Sequence, residues 1–76
     1  MTQTWHINAG VLVNDSNYTE HTGEYRARSY NAAFRQMCRY VEIESRKGAI
    51  ARTVEIKLSR AERIGRGGRV IEEIQG

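Results

Sequence analysis

The sequence predicts an α+β domain of order β-β-α-β-β, in which one amphipathic helix packs on one face of a four-stranded antiparallel sheet. Two observations predict this fold. Apolar and polar residues alternate in separate segments on either side of the middle of the chain, which is the period of half-buried strands. In the middle itself, apolar residues recur every three or four positions, as on one face of a helix.

The first two strands are predicted at residues 5–13 and 18–28. In the first, the odd-numbered positions are apolar and share one face, and Gly10 marks a bulge or a close backbone approach. Turn-forming residues at 14–17 end this strand, and so short a connection makes the pair antiparallel. In the second strand two residues point to the inner face (Tyr25 and Ala27) and two to the outer face (Arg26 and Arg28).

The helix is predicted to follow Ser29, which can serve as its N-cap. The basic pair 46–47 suits the negative end of the helix dipole, and Gly48 can close the helix. Ile43 lies outside the apolar stripe and its neighbours alternate like a strand, so an earlier end near Tyr40 stays open. The stripe itself comprises Tyr30, Ala33, Phe34, Met37, Cys38 and Val41.

The second half of the sheet is predicted from residues 52–59 and 69–74. The first of these segments alternates between apolar and polar residues, and the glycine pair 67–68 can supply the positive φ values that a tight hairpin turn requires. A helix starting at Ser59 is an alternative, because a capping box occurs there. The glycines that follow at 65, 67 and 68 argue against extending that helix far.

The length of 76 residues predicts a single domain spanning residues 1–76. A chain of this size buries only roughly 60–65% of its unfolded surface, so modest stability and self-association are expected. Cys38 is the single cysteine, which excludes an internal disulfide and suits a reducing cytoplasm. The longest purely apolar run is 11–13, too short for a membrane span, so we expect no membrane partner and a soluble, cytoplasmic protein.

The basic residues are confined to the middle of the chain. All 12 Lys and Arg residues fall between Arg26 and Arg69, where four glutamates oppose them and leave a net charge of +8. Ten of the twelve are arginine, whose planar guanidinium suits carboxylate and phosphate groups. This asymmetry predicts a surface that meets an anionic partner.

Three arginine pairs are the candidate contacts. Two arginines on the second strand share a face, two on the helix are four positions apart and are neighbours, and two flank the glycine pair at 67–68. That last segment is like one unit of the arginine–glycine segments of RNA-binding proteins. The alternative is a solvated mixed-charge surface, with Glu42 paired to Arg46 along the helix. The candidate residues are Arg26, Arg28, Arg35, Arg39, Arg66 and Arg69.

The chain offers little for catalysis or metal binding. His6 and His21 fall on neighbouring strands, where solvent-facing histidines are expected. The alternative is that they face each other and form a metal site completed by Asp15 or Glu20. Cys38 lies on the apolar stripe and is expected to be a small buried residue. No catalytic triad order, phosphate loop or supported carboxylate pair is present, so we expect no enzyme and no cofactor.

The aromatic residues give little support for base stacking. Most of them fall on predicted inner faces, and only Tyr18 and Tyr40 are expected to be exposed. A platform on which successive bases stack needs several exposed rings. This distribution argues against single-stranded nucleic acid as the partner of the arginines.

The run from Gly23 to Arg35, a short strand followed by a Ser cap and a helix with alanine and an aromatic in its first turns, resembles units of small bacteriophage and mobile-element proteins. The layout of residues 5–59 is similar to that of small anti-CRISPR proteins. Some members of that group are acidic mimics of DNA, and the basic middle of this chain departs from them. The resemblance implies a non-enzymatic inhibitor and assigns no individual residue.

Three hypotheses follow. The first is a phage-type binding protein that occupies a nucleic-acid-processing complex of the host or phage through its arginines, in the cytoplasm of a bacterial cell. The second is a regulator that binds DNA or RNA directly with the same residues. The third is a structural subunit that forms a homodimer or larger oligomer through its sheet edges.

Overall fold

The structure, a computed structural model, describes residues 1–47 and 51–76 and has the predicted order of elements. The four strands form one antiparallel sheet in the order β2-β1-β3-β4, and the helix lies between β2 and β3 in the sequence. The predicted α+β fold is therefore confirmed. The elements are β1 (Gln3–Val13), β2 (Asn17–Ala27), α1 (Tyr30–Arg46), β3 (Val54–Ile64) and β4 (Val70–Gln75).

A tight turn joins β1 to β2, as the turn-forming residues predict. Asn14 and Asp15 have φ values of 55° and 59°, and Ser16 N donates a hydrogen bond of 3.3 Å to Val13 O. Asn and Asp tolerate this left-handed conformation better than other residues with a side chain, and two successive positive φ values match the twist of a hairpin. The turn pairs Val13 with Asn17 and so sets the register of the whole hairpin.

Asn14 also ties this turn to the chain that leads into β3. Its Oδ1 accepts hydrogen bonds from Arg52 N at 2.7 Å and Thr53 N at 3.3 Å. Its own N–H donates to Thr53 O at 2.9 Å. One side chain therefore holds two segments that are far apart in the sequence.

The core lies between α1 and one face of the sheet. Trp5, Ile7, Ala9 and Val11 of β1 are buried on this face, as the alternation predicts. Four of the nine core residues are alanine, so the helix backbone can approach the sheet closely. The remaining core residues are Ala27, Ala33, Met37, Val41 and Ala61.

The helix begins and ends as a capped, amphipathic segment. Ser29 Oγ accepts a hydrogen bond from Ala32 N at 3.2 Å, which confirms the predicted N-cap. The helix runs to Arg46, so the alternative end near Tyr40 is wrong; buried Val41 continues the apolar stripe while Ile43 points to solvent. The predicted stop at Gly48 lies outside the described residues.

The third strand is longer than predicted. It continues past Ser59 to Ile64 and is hydrogen-bonded to β1 on one side and β4 on the other, so the alternative helix from Ser59 is wrong. A register shift opposite Asn8 and Ala9 leaves Ser59 as the extra residue of a bulge. The extension is stable because it buries Ala61 opposite Ile7 in the core.

The β3–β4 connection uses positive φ values at Gly67 (75°) and Gly68 (80°), as the sequence predicts. It is longer than a two-residue turn, because residues 66–68 form one turn of 3₁₀ helix. Gly65 N donates to Arg69 O at 2.7 Å and closes the loop. Side chains are disfavoured at both positive φ values, which accounts for the glycine pair.

The helix does not cover its side of the sheet evenly. It packs mainly over β2, with fewer contacts to β1 and β3. The opposite face of the sheet, here called the open face, carries no helix among residues 1–47 and 51–76. In the same described part of the chain, α1 is neither long nor apolar enough to traverse a bilayer.

Candidate arginine-rich interface

The six predicted arginines share one property: all are exposed, and none forms an ion pair within residues 1–47 and 51–76. Two arginines of β3, in contrast, are neutralised. Arg60 pairs with Glu62 at 2.6 Å and with Glu73 at 2.9 Å, and Arg63 pairs with Glu72 at 3.0 Å. The six predicted arginines are named together the arginine interface: Arg26, Arg28, Arg35, Arg39, Arg66 and Arg69.

The helix arginines lie together, as their spacing predicts. Arg35 and Arg39 line one shallow depression of about 550 Å³ on the outer side of α1. Tyr40 lies in the same depression and is 51% exposed, as predicted. The Glu42–Arg46 pair of the alternative is not among the ion pairs of residues 1–47 and 51–76; Arg46 Nη1 instead donates to Ala51 O at 2.7 Å.

Gln36 connects this part of the helix to the edge of the sheet. Its Nε2 donates a hydrogen bond of 3.1 Å to Arg26 O, near the end of β2. Arg26 projects from the open face opposite Thr4, and Arg28 lies in the bend before α1. β2 ends at Ala27, so the prediction that both arginines lie on this strand is wrong for Arg28. The helix pair and these two arginines flank the same edge of the molecule, because Gln36 joins α1 to the end of β2. Sequence reasoning missed Gln36, because its contact exists only once the helix docks on β2.

The remaining two arginines lie on the far side of the sheet. Arg66 and Arg69 belong to the β3–β4 connection, at the end of the sheet where β2 also ends. Three strand spacings separate β2 from β4, which is about 14 Å. The interface therefore consists of a group of four arginines around the β2 edge and a group of two across the same end of the sheet.

The centre of the open face is compensated and not cationic. His6 Nε2 lies 3.0 Å from Glu24 Oε1, and Arg60 is held between Glu62 and Glu73. A cavity of about 440 Å³ is lined by four of these side chains, those of His6, Glu24, Arg60 and Glu62. The candidate arginines therefore lie around the rim of the sheet and on the helix, and not at the centre of the open face.

The two histidines do not form a metal site. His6 lies on the open face, whereas His21 lies on the helix side opposite Ala9, so the alternative in which they face each other is wrong. His21 is half-buried and not solvent-facing: its Nε2 lies 2.6 Å from Tyr25 Oη, and its ring packs 5.9 Å from that of Tyr40. Within the described part of the chain, no three His, Cys, Asp or Glu residues are grouped to hold a metal ion.

Several ionisable groups lie on the helix side of the sheet, next to the core. Burial raises the pKa of the Tyr30 hydroxyl, and the nearby Cys38 adds to the effect. Burial also raises the pKa of the Cys38 thiol, with Glu42 contributing. A thiol with a raised pKa is a poor nucleophile. Cys38 packs against the core but is half-buried, so the expectation that it is fully buried is wrong.

We expect stability to fall in alkali, because folding disfavours the ionised form of Tyr30. Its contribution is complete below the ordinary tyrosine pKa of 10.0 and is lost as the pH rises through the higher folded value. Tyr30→Phe keeps the ring against Trp5 and Phe34 and should lessen the loss of unfolding free energy between about pH 9 and pH 11. Urea titrations at the two pH values measure this, and an equal loss in both proteins would contradict it.

No family model, no curated protein and no solved structure matches this chain. The interface is therefore assigned from the exposure, charge and pairing of its own residues.

Proposed function

We propose that this chain is a non-enzymatic, phage-type binding protein that inhibits a nucleic-acid-processing complex by occupying an acidic protein surface on it, as anti-CRISPR proteins do. The single observation that carries the proposal is the division of the cations. Every arginine of the interface is exposed and without an ion pair in the described residues, whereas Arg60 and Arg63 are each held by a carboxylate.

Guanidinium groups that form no ion pair within the chain can bind an anionic group of a partner. Each presents five N–H donors in a fixed plane and can take a carboxylate in a bidentate arrangement. Arg35 and Arg39, four positions apart on a helix, repel each other mildly in the free protein. An acidic partner relieves this repulsion and accepts hydrogen bonds from both guanidinium groups. Both effects make binding more favourable.

The surroundings of the arginines favour a protein partner over a nucleic acid. Glu24 lies two residues from Arg26 on the open face, and Glu62 and Glu73 lie beyond it. A phosphate backbone that crossed the open face beside Arg26 would meet these carboxylates. A protein surface can complement the arginines with acidic residues and the glutamates with basic ones.

The test is a pull-down from a nuclease-treated bacterial lysate with the tagged protein. Wild type should retain a partner, and the Arg35→Gln/Arg39→Gln variant should bind it roughly tenfold or more weakly, since two charged contacts are lost. Glutamine keeps a long polar side chain and a good helix propensity. Failure of the wild type to retain any partner would overturn the proposal.

A matched control separates the interface from net charge. Arg39→Gln and Arg52→Gln each remove one exposed arginine, but Arg52 lies beside the β1–β2 turn, away from the interface. Only Arg39→Gln should weaken capture. Equal losses in the two variants would show that overall charge, and not the arginine interface, retains the partner.

A second candidate is a regulator that binds DNA or RNA directly, and Tyr40 favours it. This exposed ring shares a depression with Arg35 and Arg39, so a base could stack there beside two phosphate-binding groups. Mobility shifts on random duplex DNA at two salt concentrations test this candidate. The logarithm of its binding constant should fall by about 0.9 per phosphate contact for each tenfold rise in salt concentration. Arg35→Gln/Arg39→Gln removes two such contacts and should make this slope shallower by about 1.8. No shift at micromolar protein would dispose of it.

A further inference from the structure

The helix carries a second stripe on the side turned away from the sheet. Its members recur every three or four positions, the spacing that places side chains on one face of a helix. On a helical projection this stripe is centred about 150° from the buried one, so it faces solvent. All of its members line the depression of about 550 Å³ on α1, and together they are named the outer stripe: Ala32, Arg35, Gln36, Arg39, Tyr40 and Ile43.

Two large apolar side chains of the outer stripe have no core to pack against. Tyr40 and Ile43 are each more than half exposed. They are three positions apart, so they are neighbours on the surface of the helix. A partner that covers this pair with apolar groups of its own removes apolar surface from water and gains free energy.

The cations of the outer stripe lie on one flank of it. On the helical projection, the two arginines lie to one side of Ile43 and Tyr40 lies to the other. Neither Arg35 nor Arg39 forms an ion pair within residues 1–47 and 51–76. A partner with an apolar surface and carboxylates along one side of it therefore complements both parts of the stripe, since carboxylates accept bidentate hydrogen bonds from guanidinium groups.

The outer stripe has the length and outline that a second helix can follow. From Ala32 to Ile43 it extends about 16 Å along α1, since each residue adds about 1.5 Å. Side chains three and four positions apart form the ridges and grooves by which two helices pack side by side. An extended segment binds instead to the unpaired backbone groups of a sheet edge, and a helix satisfies these groups internally.

We infer that the outer stripe binds an amphipathic helix of a partner protein, with apolar residues facing Tyr40 and Ile43 and acidic residues on the flank of the two arginines. The inference rests on the proposed function, because it names the kind of acidic surface that this part of the arginine interface meets. Such a helix contacts Ile43 as well as the arginines. A phosphate backbone binds to the cations and leaves the aliphatic side chain without a contact.

The test measures the binding of a labelled synthetic peptide by fluorescence anisotropy. The peptide is about 18 residues long, with leucines at every third or fourth position and glutamates on one flank, so that it can form an acidic amphipathic helix. It should bind wild type with a dissociation constant below about 1 mM. A second peptide of the same composition, with its leucines spread around the helix, should bind about tenfold more weakly because it lacks an apolar stripe.

Ile43→Ala separates the apolar part of the site from the arginines. It should weaken binding of the first peptide roughly threefold to tenfold, since less apolar surface is buried. Alanine is the better helix former and both arginines remain, so the fold and the charge are kept. Ile71→Ala on β4 is the matched control, because it deletes the same atoms from a side chain that is also 55% exposed and should leave binding unchanged.

Four results would overturn the inference. The two peptides could bind equally well, Ile43→Ala could bind as well as wild type, or the first peptide could fail to bind at concentrations up to about 1 mM. The fourth is tighter binding of a single-stranded oligonucleotide with the same negative charge as the peptide, which would assign the outer stripe to nucleic acid.

The same variants in the lysate pull-down distinguish this inference from the proposed function. If Arg35→Gln/Arg39→Gln lowers capture and Ile43→Ala does not, the arginines bind an acidic surface without a helix on the outer stripe, and the inference alone fails. If wild type captures no partner but the peptide binds and Ile43→Ala weakens it, the proposed function alone fails.

Discussion

Replacing Trp5 by alanine is expected to lower the free energy of unfolding by about 3–5 kcal/mol. Trp5 is 3% exposed, and its ring meets that of Tyr30 edge to face at a centroid distance of 5.7 Å. Deleting it removes the largest side chain of the core and its aromatic contact together. A domain of this length is stable by only about 4–11 kcal/mol, so the variant should lie near the limit of folding.

Urea denaturation followed by circular dichroism measures the loss, with Trp5→Phe as the comparison. Phenylalanine keeps a ring against Tyr30 and removes the indole N–H, which is buried without a hydrogen-bond partner in the described structure. Its cost should therefore be clearly smaller, since a buried unsatisfied donor destabilises the folded state. A loss below about 1 kcal/mol for Trp5→Ala would contradict the position of this ring in the core.

Replacing Ile7 by alanine is expected to cost about 2–5 kcal/mol. Ile7 is fully buried at the centre of β1. Its neighbours across the sheet are Gly23 on β2 and Ala61 on β3, neither of which can move a side chain into the space that is left. The cost of such a deletion grows with the cavity that remains, so a value in the upper part of this range is expected.

Ile43 provides a matched control, since Ile43→Ala deletes the same atoms from a side chain that is 55% exposed. This change should alter the free energy of unfolding by less than about 0.5 kcal/mol. Both variants should keep the urea dependence of the wild type, which shows that the unfolded states are comparable. Equal costs at the two positions would mean that the helix does not present its stripe to the sheet as described.

The elements that the sequence predicts well are those with an uninterrupted period. The odd positions of β1 and the stripe of α1 each carry one period from end to end, and the Ser29 cap is a local contact between close neighbours. Such patterns depend on residues a few positions apart. They can be recognised without knowledge of the rest of the chain.

The extension of β3 could not be predicted, because a bulge breaks its alternation. Leu58 and Ala61 both face the helix although they are three positions apart, since Ser59 is the extra residue of the bulge. A strict period of two ends at this point, and the residues after it match a helix cap equally well. Only the pairing with β1 and β4 on both sides decides between them.

The alternative in which the two histidines face each other is wrong for a similar reason. The three residues of the β1–β2 turn pair odd positions with odd positions, so His6 and His21 fall on opposite faces. If the turn in the same sequence comprised two or four residues and not three, the two histidines would lie on the same face. The exposure of the arginines, in contrast, follows from single residues, but their division into groups of four and two depends on the order of strands in the sheet.

The outer side of β2 has a consequence for how many chains can join. There α1 lies over the strand, glutamates and Arg26 project from it, and Gln36 occupies the Arg26 carbonyl. β4 is six residues long and carries adjacent glutamates at 72 and 73. Guarded borders of this kind resist the addition of further strands. The two outermost strands of this sheet therefore oppose the edge-to-edge growth by which sheets assemble into fibres.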